Sequence, residues 1–176
     1  MKFLRHYHDS YISYFLMYFF FFFSLAFFSG FISVYLMDQG YSASQVSFVV
    51  SCSYILSVIV QPTIGKLNDQ YESRYVNSIL LLTAGILGII FIFLKNIYLI
   101  AFVYSLVLAI TNGTNPIIER MAIVSRFKYG SIRVWATIGY AVATIIAGLI
   151  YKNIGPYSLY VFFAIGELLC VIGVLG

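Results

Sequence analysis

Six long apolar stretches, separated by short polar gaps, run through the chain. A helix needs about 20 apolar residues to cross the ~30 Å hydrocarbon core of a bilayer. Backbone polar groups in lipid must be satisfied within helices or closed barrels, and runs of this length are typical of helices. The pattern therefore predicts six transmembrane helices, at residues 11–37, 44–64, 75–94, 97–118, 134–151 and 156–176.

The gaps between these stretches contain no hydrophilic domain and no long linker. Residues 1–176 are therefore predicted to form a single six-helix transmembrane domain. The gaps at residues 95–96 and 152–155 are so short that the helices they join must be antiparallel. Asp9 and Ser10 stand just before the first apolar stretch and are predicted to cap its helix.

The composition agrees with a membrane protein. The chain is 62% hydrophobic and only 9% charged, whereas charged residues make up about 25% of an ordinary soluble domain. A soluble protein of this size could not hide so much apolar surface. The predicted class is therefore an all-α membrane protein.

The basic residues predict the orientation in the membrane. Loops on the cytoplasmic side carry an excess of Lys and Arg. With the N-terminus inside, the cytoplasmic group is Lys2, Arg5, Lys66, Arg74, Arg120, Arg126, Lys128 and Arg133. Only Lys95 and Lys152 then lie outside. Both termini are predicted to be cytoplasmic. The net charge of +4 follows from this bias, so no nucleic-acid partner is predicted.

Neither a metal site nor a cofactor site is indicated by the sequence. Cys52 and Cys170 lie inside apolar stretches, as small buried hydrophobic residues do. No Cys/His cluster, nucleotide-binding glycine loop or nucleophile elbow is present, so the chain is not predicted to be an enzyme. The richness in Phe, Tyr, Ile and Asn suggests a bacterial source, and hence a bacterial cell membrane.

The first candidate motif is a short polar island, residues 65–74, between the second and third apolar stretches. Gly65 could allow a tight exit from the second helix. Asp69 could pair with an arginine or face a helix N-terminus, where the helix dipole favours an anion. The alternative is an ordinary loop of mixed charge.

This island resembles the loop between the second and third helices of major facilitator transporters. The family pattern is Gly-x-Leu-x-Asp-(basic)-x-Gly-(basic)-(basic), and the chain keeps Gly65, Leu67, Asp69 and Arg74. It departs from the pattern at residues 70, 72 and 73. The resemblance implies one six-helix half of a major facilitator fold, in which Gly65, Asp69 and Arg74 help to latch two halves together on the cytoplasmic side.

A second set of motifs narrows the resemblance. Gln61-Pro62, Asn115-Pro116-x-x-Glu119 and residues 129–140 resemble segments of the lactose permease family of oligosaccharide:proton symporters. The resemblance implies that Glu119 and Arg133 bind solute hydroxyls, with Asn115 nearby, and that Tyr140 stacks on a sugar ring. Where the family has an arginine and a tryptophan, this chain has Ser131 and Tyr140. The solute class therefore stays open among sugars, glycosides and nucleoside-like molecules.

The chemistry of Glu119 and Arg133 fits solute binding. A carboxylate and a guanidinium form strong hydrogen bonds with hydroxyls in a dry site. If the two residues share such a site, they should approach within salt-bridge or water-bridged distance across the fourth and fifth spans. Arg133 and Tyr140 are seven residues apart and so share one side of a helix. The alternative is that Arg133 is a cytoplasmic anchor and that Glu119 pairs with Arg120 or Arg126, since charges at helix ends are common.

Two further polar features lie within the apolar stretches. Residues 111–116 are unusually polar and predict either a cavity-lining face or hydrogen bonds between helices. Glu167 lies near the centre of the sixth stretch, where a lone acid costs about 3 kcal/mol unless it is paired or protonated. Glu167 is thus a candidate protonation site, although the sequence indicates no partner for it.

The functional expectation is transport of a small polar solute, coupled to protons, by alternating access. The chain would form the N-terminal half of a symporter and would need a second six-helix half, from another chain or a homodimer. The alternatives are a fragment of a polysaccharide flippase, a non-transporting membrane scaffold, or the relic of a truncated gene.

Overall fold

The computed structural model describes residues 8–176 and consists, over that range, of helices joined by short turns. The helices are α1 (Tyr11–Ser29), α2 (Ile32–Asp38), α3 (Ala43–Gln70), α4 (Ser73–Phe91), α5 (Ile97–Ile123), α6 (Tyr129–Asn153) and α7 (Ser158–Leu175). Helices α1 and α2 together form the first span, so the described residues contain six candidate membrane spans. The predicted all-α, six-span class is confirmed. Lys2 and Arg5, two of the predicted cytoplasmic charges, lie outside the described residues.

Polar side chains fix the starts of three spans. Ser10 caps α1, since its Oγ accepts the backbone N–H of Ser13 at 3.2 Å. Ser42 and Gln45 form a reciprocal capping box at α3. The Asn96 side chain accepts two backbone N–H groups at the start of α5. These caps satisfy N–H groups that have no partner within the helix.

The ends of α3 and α5 and the start of α6 each lie five or six residues outside the predicted bounds. Helix α3 continues through Gly65 to Gln70, so the predicted tight exit at Gly65 is wrong. Helix α6 begins at Tyr129, so Arg133 lies inside it. Hydropathy marks where the apolar residues stop, but a helix can continue past that point. The polar island is therefore mostly a helical extension of α3.

The helices pair in a pattern with internal symmetry. Helix α1 packs against α6 and α7, α5 packs against α3 and α4, and α4 packs against α7. The scheme is unchanged when the first three spans are exchanged with the last three. Transporters built from three-helix inverted repeats have such a relation, which was not evident in the sequence.

Glycines let α1 lie very close to its two neighbours. A Cβ placed on Gly139 of α6 would collide with the backbone carbonyl of Phe19. A Cβ on Gly173 of α7 would lie 2.8 Å from both the Met17 Cα and the Ser13 carbonyl oxygen. Helix α1 is therefore held backbone to backbone between α6 and α7.

Candidate functional site

Glu119 and Arg133, the two charged residues of the predicted site, join two helices. Glu119 projects from the last two turns of α5 and forms a salt bridge with Arg133 in the second turn of α6. The two helices otherwise touch little. The alternative partners Arg120 and Arg126 do not form this ion pair. The predicted approach of Glu119 and Arg133 across the fourth and fifth spans is therefore confirmed, whereas their binding role stays a prediction.

Two tyrosine hydroxyls complete the surroundings of the Glu119 carboxylate. Tyr18 of α1 donates to Oε2 at 3.1 Å, and Tyr129 donates to the same oxygen, while Arg133 binds Oε1. These four residues are here called the Glu119 cluster. Tyr18 is fully buried, but Tyr129 is 38% exposed. Three donors fix the carboxylate where three helices meet.

Arg133 reaches from this cluster toward an open cavity. Its guanidinium carbon lies 5.3 Å from the centre of the Phe22 ring, a distance suited to a cation–π contact. Phe22, Arg133 and Tyr140 line a cavity of about 390 Å³ between α1 and α6. Tyr140 is exposed there. A charged donor, an aromatic ring and a polar hydroxyl thus face the same space.

The polar run at residues 111–116 is mostly used in packing, so the cavity-lining interpretation is wrong for most of it. Thr111 and Thr114 donate to carbonyls of their own helix. Asn112 donates to the Ser57 hydroxyl of α3 at 3.2 Å. Asn115 differs, because its half-buried side chain leaves Oδ1 without a partner within the described residues. It lies one turn before Glu119, outside the residues that line the Arg133 cavity.

Asp69 and Arg74, two of the three predicted latch residues, form no salt bridge with each other in the described part of the chain. Gly65 is inside α3, and Asp69 is exposed in the last turn of that helix, beside a recess of about 290 Å³ that also borders Arg120. Arg74, at the start of α4, instead binds Asp9 at 2.5 Å. Asp9, just before α1, thus occupies the Arg74 guanidinium, and the latch role of Gly65, Asp69 and Arg74 stays a prediction.

The Asp9 carboxylate lies outside the membrane spans and is held ionised. Partial burial raises its pKa, but the charge and hydrogen bond of Arg74, with smaller contributions from Tyr14 and His8, outweigh that effect. The pKa of Asp9 is therefore lowered from its ordinary value of 3.8. The bond ties the start of the first span to the start of the third.

Glu167 is completely buried in α7 and lies away from the Glu119 cluster. The Ser24 hydroxyl of α1 lies 2.8 Å from Oε1, while Oε2 has no partner within the described residues. Ser24 is thus the partner that the sequence did not indicate.

Sequence reasoning missed Tyr18, Tyr129 and Ser24. Tyr129 precedes Arg133 by four residues, a spacing that places both on one helix face, so its position could have been found. Tyr18 stands in an aromatic-rich stretch in which nothing local distinguishes it from its neighbours. Its partner Glu119 is 101 residues away, and only packing brings them together.

Comparison with known proteins gives one family match. The model of the family described as MFS_1 like matches residues 11–175. No curated protein matches the chain, and no solved structure does. The match spans all six candidate membrane helices.

Proposed function

Because the chain belongs to the MFS_1 like family, and this family implies membrane transport, we propose that it binds and moves a small polar solute as half of an alternating-access transporter. The solute class is a sugar, a glycoside or a nucleoside-like molecule. The family is typically non-enzymatic. Because the chain belongs to this family, we do not propose the flippase alternative.

The observation that carries the proposal is the Glu119–Arg133 salt bridge beside an open cavity. The side chain of Arg133 is 44% exposed and that of Glu119 is 22% exposed, so the pair is accessible from one side. A guanidinium with free N–H groups can donate to solute hydroxyls. Tyr140 adds an aromatic face on which an apolar face of the solute can pack.

The transporter also needs a second wall to the cavity. We propose that six further helices, on the same or another polypeptide, cover the Arg133 cavity, and that the two halves rock around a site near the midplane. Helices α3 and α6 are the least buried of the candidate spans, which supports a partner along these two. Asp69, exposed at the end of α3, remains the proposed latch toward that partner.

We place both ends of this bundle on the cytoplasmic side of a bacterial cell membrane. Within the bundle, the backbone N–H of Asp9 donates to the Gly176 carbonyl at 2.6 Å, so the two ends lie on one side. The excess of basic residues on that side supports a cytoplasmic location. We further propose a position near the lactose permease family of proton-coupled symporters, which rests on the sequence motifs alone.

Equilibrium dialysis tests the proposal with purified protein and a labelled panel of glycosides and nucleosides. At least one solute should bind wild type saturably and bind Arg133→Ala at least about tenfold more weakly, because one charge-assisted hydrogen bond contributes ~1.5–3 kcal/mol. Arg126→Ala is the matched control, since Arg126 packs on Phe127 instead of lining the Arg133 cavity.

Unchanged binding in Arg133→Ala would rule out the proposed site. A protein that folds and binds no solute from the panel would support the scaffold alternative.

A further inference from the structure

Glu167 lies in the seam where α7 packs against α1 and α4. A Cβ placed on Gly85 of α4 would lie 3.5 Å from the Glu167 Cβ, and one on Gly166 would lie 3.0 Å from the Ser24 Cβ. The side chains of Glu167 and Ser24 are both fully buried. The seam is therefore dry and tightly packed around this acid.

No cation accompanies Glu167 in the part of the chain that the structure describes. Ser24 faces it from α1 and Gly85 from α4, and neither carries charge. Cys170, three residues further along α7, has a titratable thiol, but this thiol donates to the Met17 carbonyl at 3.4 Å. An ionised Glu167 would thus be an unpaired buried charge, which proteins avoid by protonation.

The hydrogen bonds of Ser24 lead to the same result. Its oxygen lies 2.8 Å from Glu167 Oε1 and 2.9 Å from the Phe21 carbonyl oxygen. A hydroxyl has one hydrogen, and the carbonyl can only accept. Both bonds form together only when Glu167 carries a proton and donates it to Ser24 while Ser24 donates to Phe21.

We propose that Glu167 is a proton-binding site, occupied at neutral pH, that fastens α1 to α7 through Ser24. Loss of the proton would leave a carboxylate that competes with the Phe21 carbonyl for one Ser24 hydrogen. The seam would then loosen. The hydrogen bonds of Ser24 therefore couple the protonation state of Glu167 to the packing of α1 against α7.

Helix α1 connects this proton site to the Glu119 cluster. Tyr18, which donates to Glu119, lies six residues before Ser24 on the same helix. A shift of α1 away from α7 would move Tyr18 relative to Glu119 and weaken solute binding. This second step rests on the proposed function, whereas proton binding by Glu167 does not.

Infrared spectroscopy of the purified protein tests the proton directly. Wild type at neutral pH should show the carbonyl stretch of a buried protonated carboxyl group, and Glu167→Gln should lose it. Glu72→Gln should keep it, because Glu72 is exposed and an exposed glutamate is ionised at neutral pH. Ser24→Ala should keep the band but shift its frequency, since the hydrogen-bond acceptor is removed.

Absence of the band in wild type, or its persistence in Glu167→Gln, would overturn the proton site. A band in Ser24→Ala identical to that of wild type would overturn the assigned acceptor. If Glu167→Gln does not fold, the frequency shift in Ser24→Ala still assigns the band to Glu167.

Solute affinity measured across pH tests the coupling. In wild type it should fall as the pH rises, and in Glu167→Gln, which cannot lose a proton, it should stay flat over the same range. Identical pH profiles in the two proteins would overturn the coupling. If no solute binds at all, the proposed function fails, while the infrared result still decides whether Glu167 holds a proton.

Discussion

Replacing Tyr18 by phenylalanine removes one hydroxyl from the Glu119 cluster and leaves the ring in place. The lost bond joins a fully buried donor to a carboxylate at 3.1 Å, and hydrogen bonds to charged groups contribute ~1.5–3 kcal/mol. Arg133 and Tyr129 still hold Glu119. We therefore expect Tyr18→Phe to lower the free energy of unfolding by ~1.5 kcal/mol, the lower end of that range.

The same change at Tyr129 should matter much less. Tyr129 is 38% exposed, so water can replace its hydroxyl, and we expect a loss within ~0.5 kcal/mol, as for surface substitutions. For a protein of this size, 1 kcal/mol corresponds to ~2–4 °C in Tm. The expected shift is thus ~3–6 °C for Tyr18→Phe and at most ~2 °C for Tyr129→Phe.

Thermal unfolding in detergent, followed by circular dichroism, measures both shifts. Tyr54→Phe is the matched control, because Tyr54 is 68% exposed on α3 and should shift Tm by no more than the error. Equal shifts for Tyr18→Phe and Tyr129→Phe, or a larger shift for Tyr129→Phe, would refute the assignment of Tyr18 as the buried support of Glu119.

Three other predictions concern separate parts of the bundle. The lowered pKa of Asp9 contributes stability above pH 3.8, and wild type loses this stability as the pH falls below that value. Asp9→Asn should lack this contribution. Denaturation measured across pH should show a cost within ~1 kcal/mol, since the pair of Asp9 and Arg74 is partly exposed. Gly173→Ala should destabilise the protein by ~1–3 kcal/mol through overpacking. Gly65→Ala should stabilise it by ~0.5–1 kcal/mol, because the added methyl group meets open space in mid-helix. The opposite order in thermal unfolding would contradict the helix packing described. Tyr140→Ala should weaken solute binding in dialysis while Tyr140→Trp retains it, and equal affinity in all three proteins would remove Tyr140 from the site.

The number and type of the helices could be predicted because a bilayer sets one length scale for every span. The helix ends could not, because α3 continues for six residues past Ile64 into a polar segment. A helix there needs only backbone hydrogen bonds, which hydropathy does not report. The motif at residues 65–70 therefore has a different local structure from the one predicted.

The candidate site was likewise predicted only in part. Glu119 and Arg133 were predicted because motif resemblance placed them on neighbouring spans, and the structure pairs them. Tyr18 and Ser24 were not, since both partners come from distant helices. Such contacts depend on which face α1 turns to each neighbour, and a helix that is apolar almost all round gives no periodic signal of its faces.

The fluorescence of Trp135 tests most directly the central claim that the Glu119–Arg133 pair binds a solute. Trp135 is the chain's single tryptophan, lies two residues after Arg133, and donates its indole N–H to the Tyr11 hydroxyl at 2.9 Å. Its fluorescence in titrations with glycosides and nucleosides should change saturably in wild type and in Arg126→Ala. The change should be absent in Glu119→Gln and Arg133→Ala; a titration curve in those two variants that matches wild type would contradict the account.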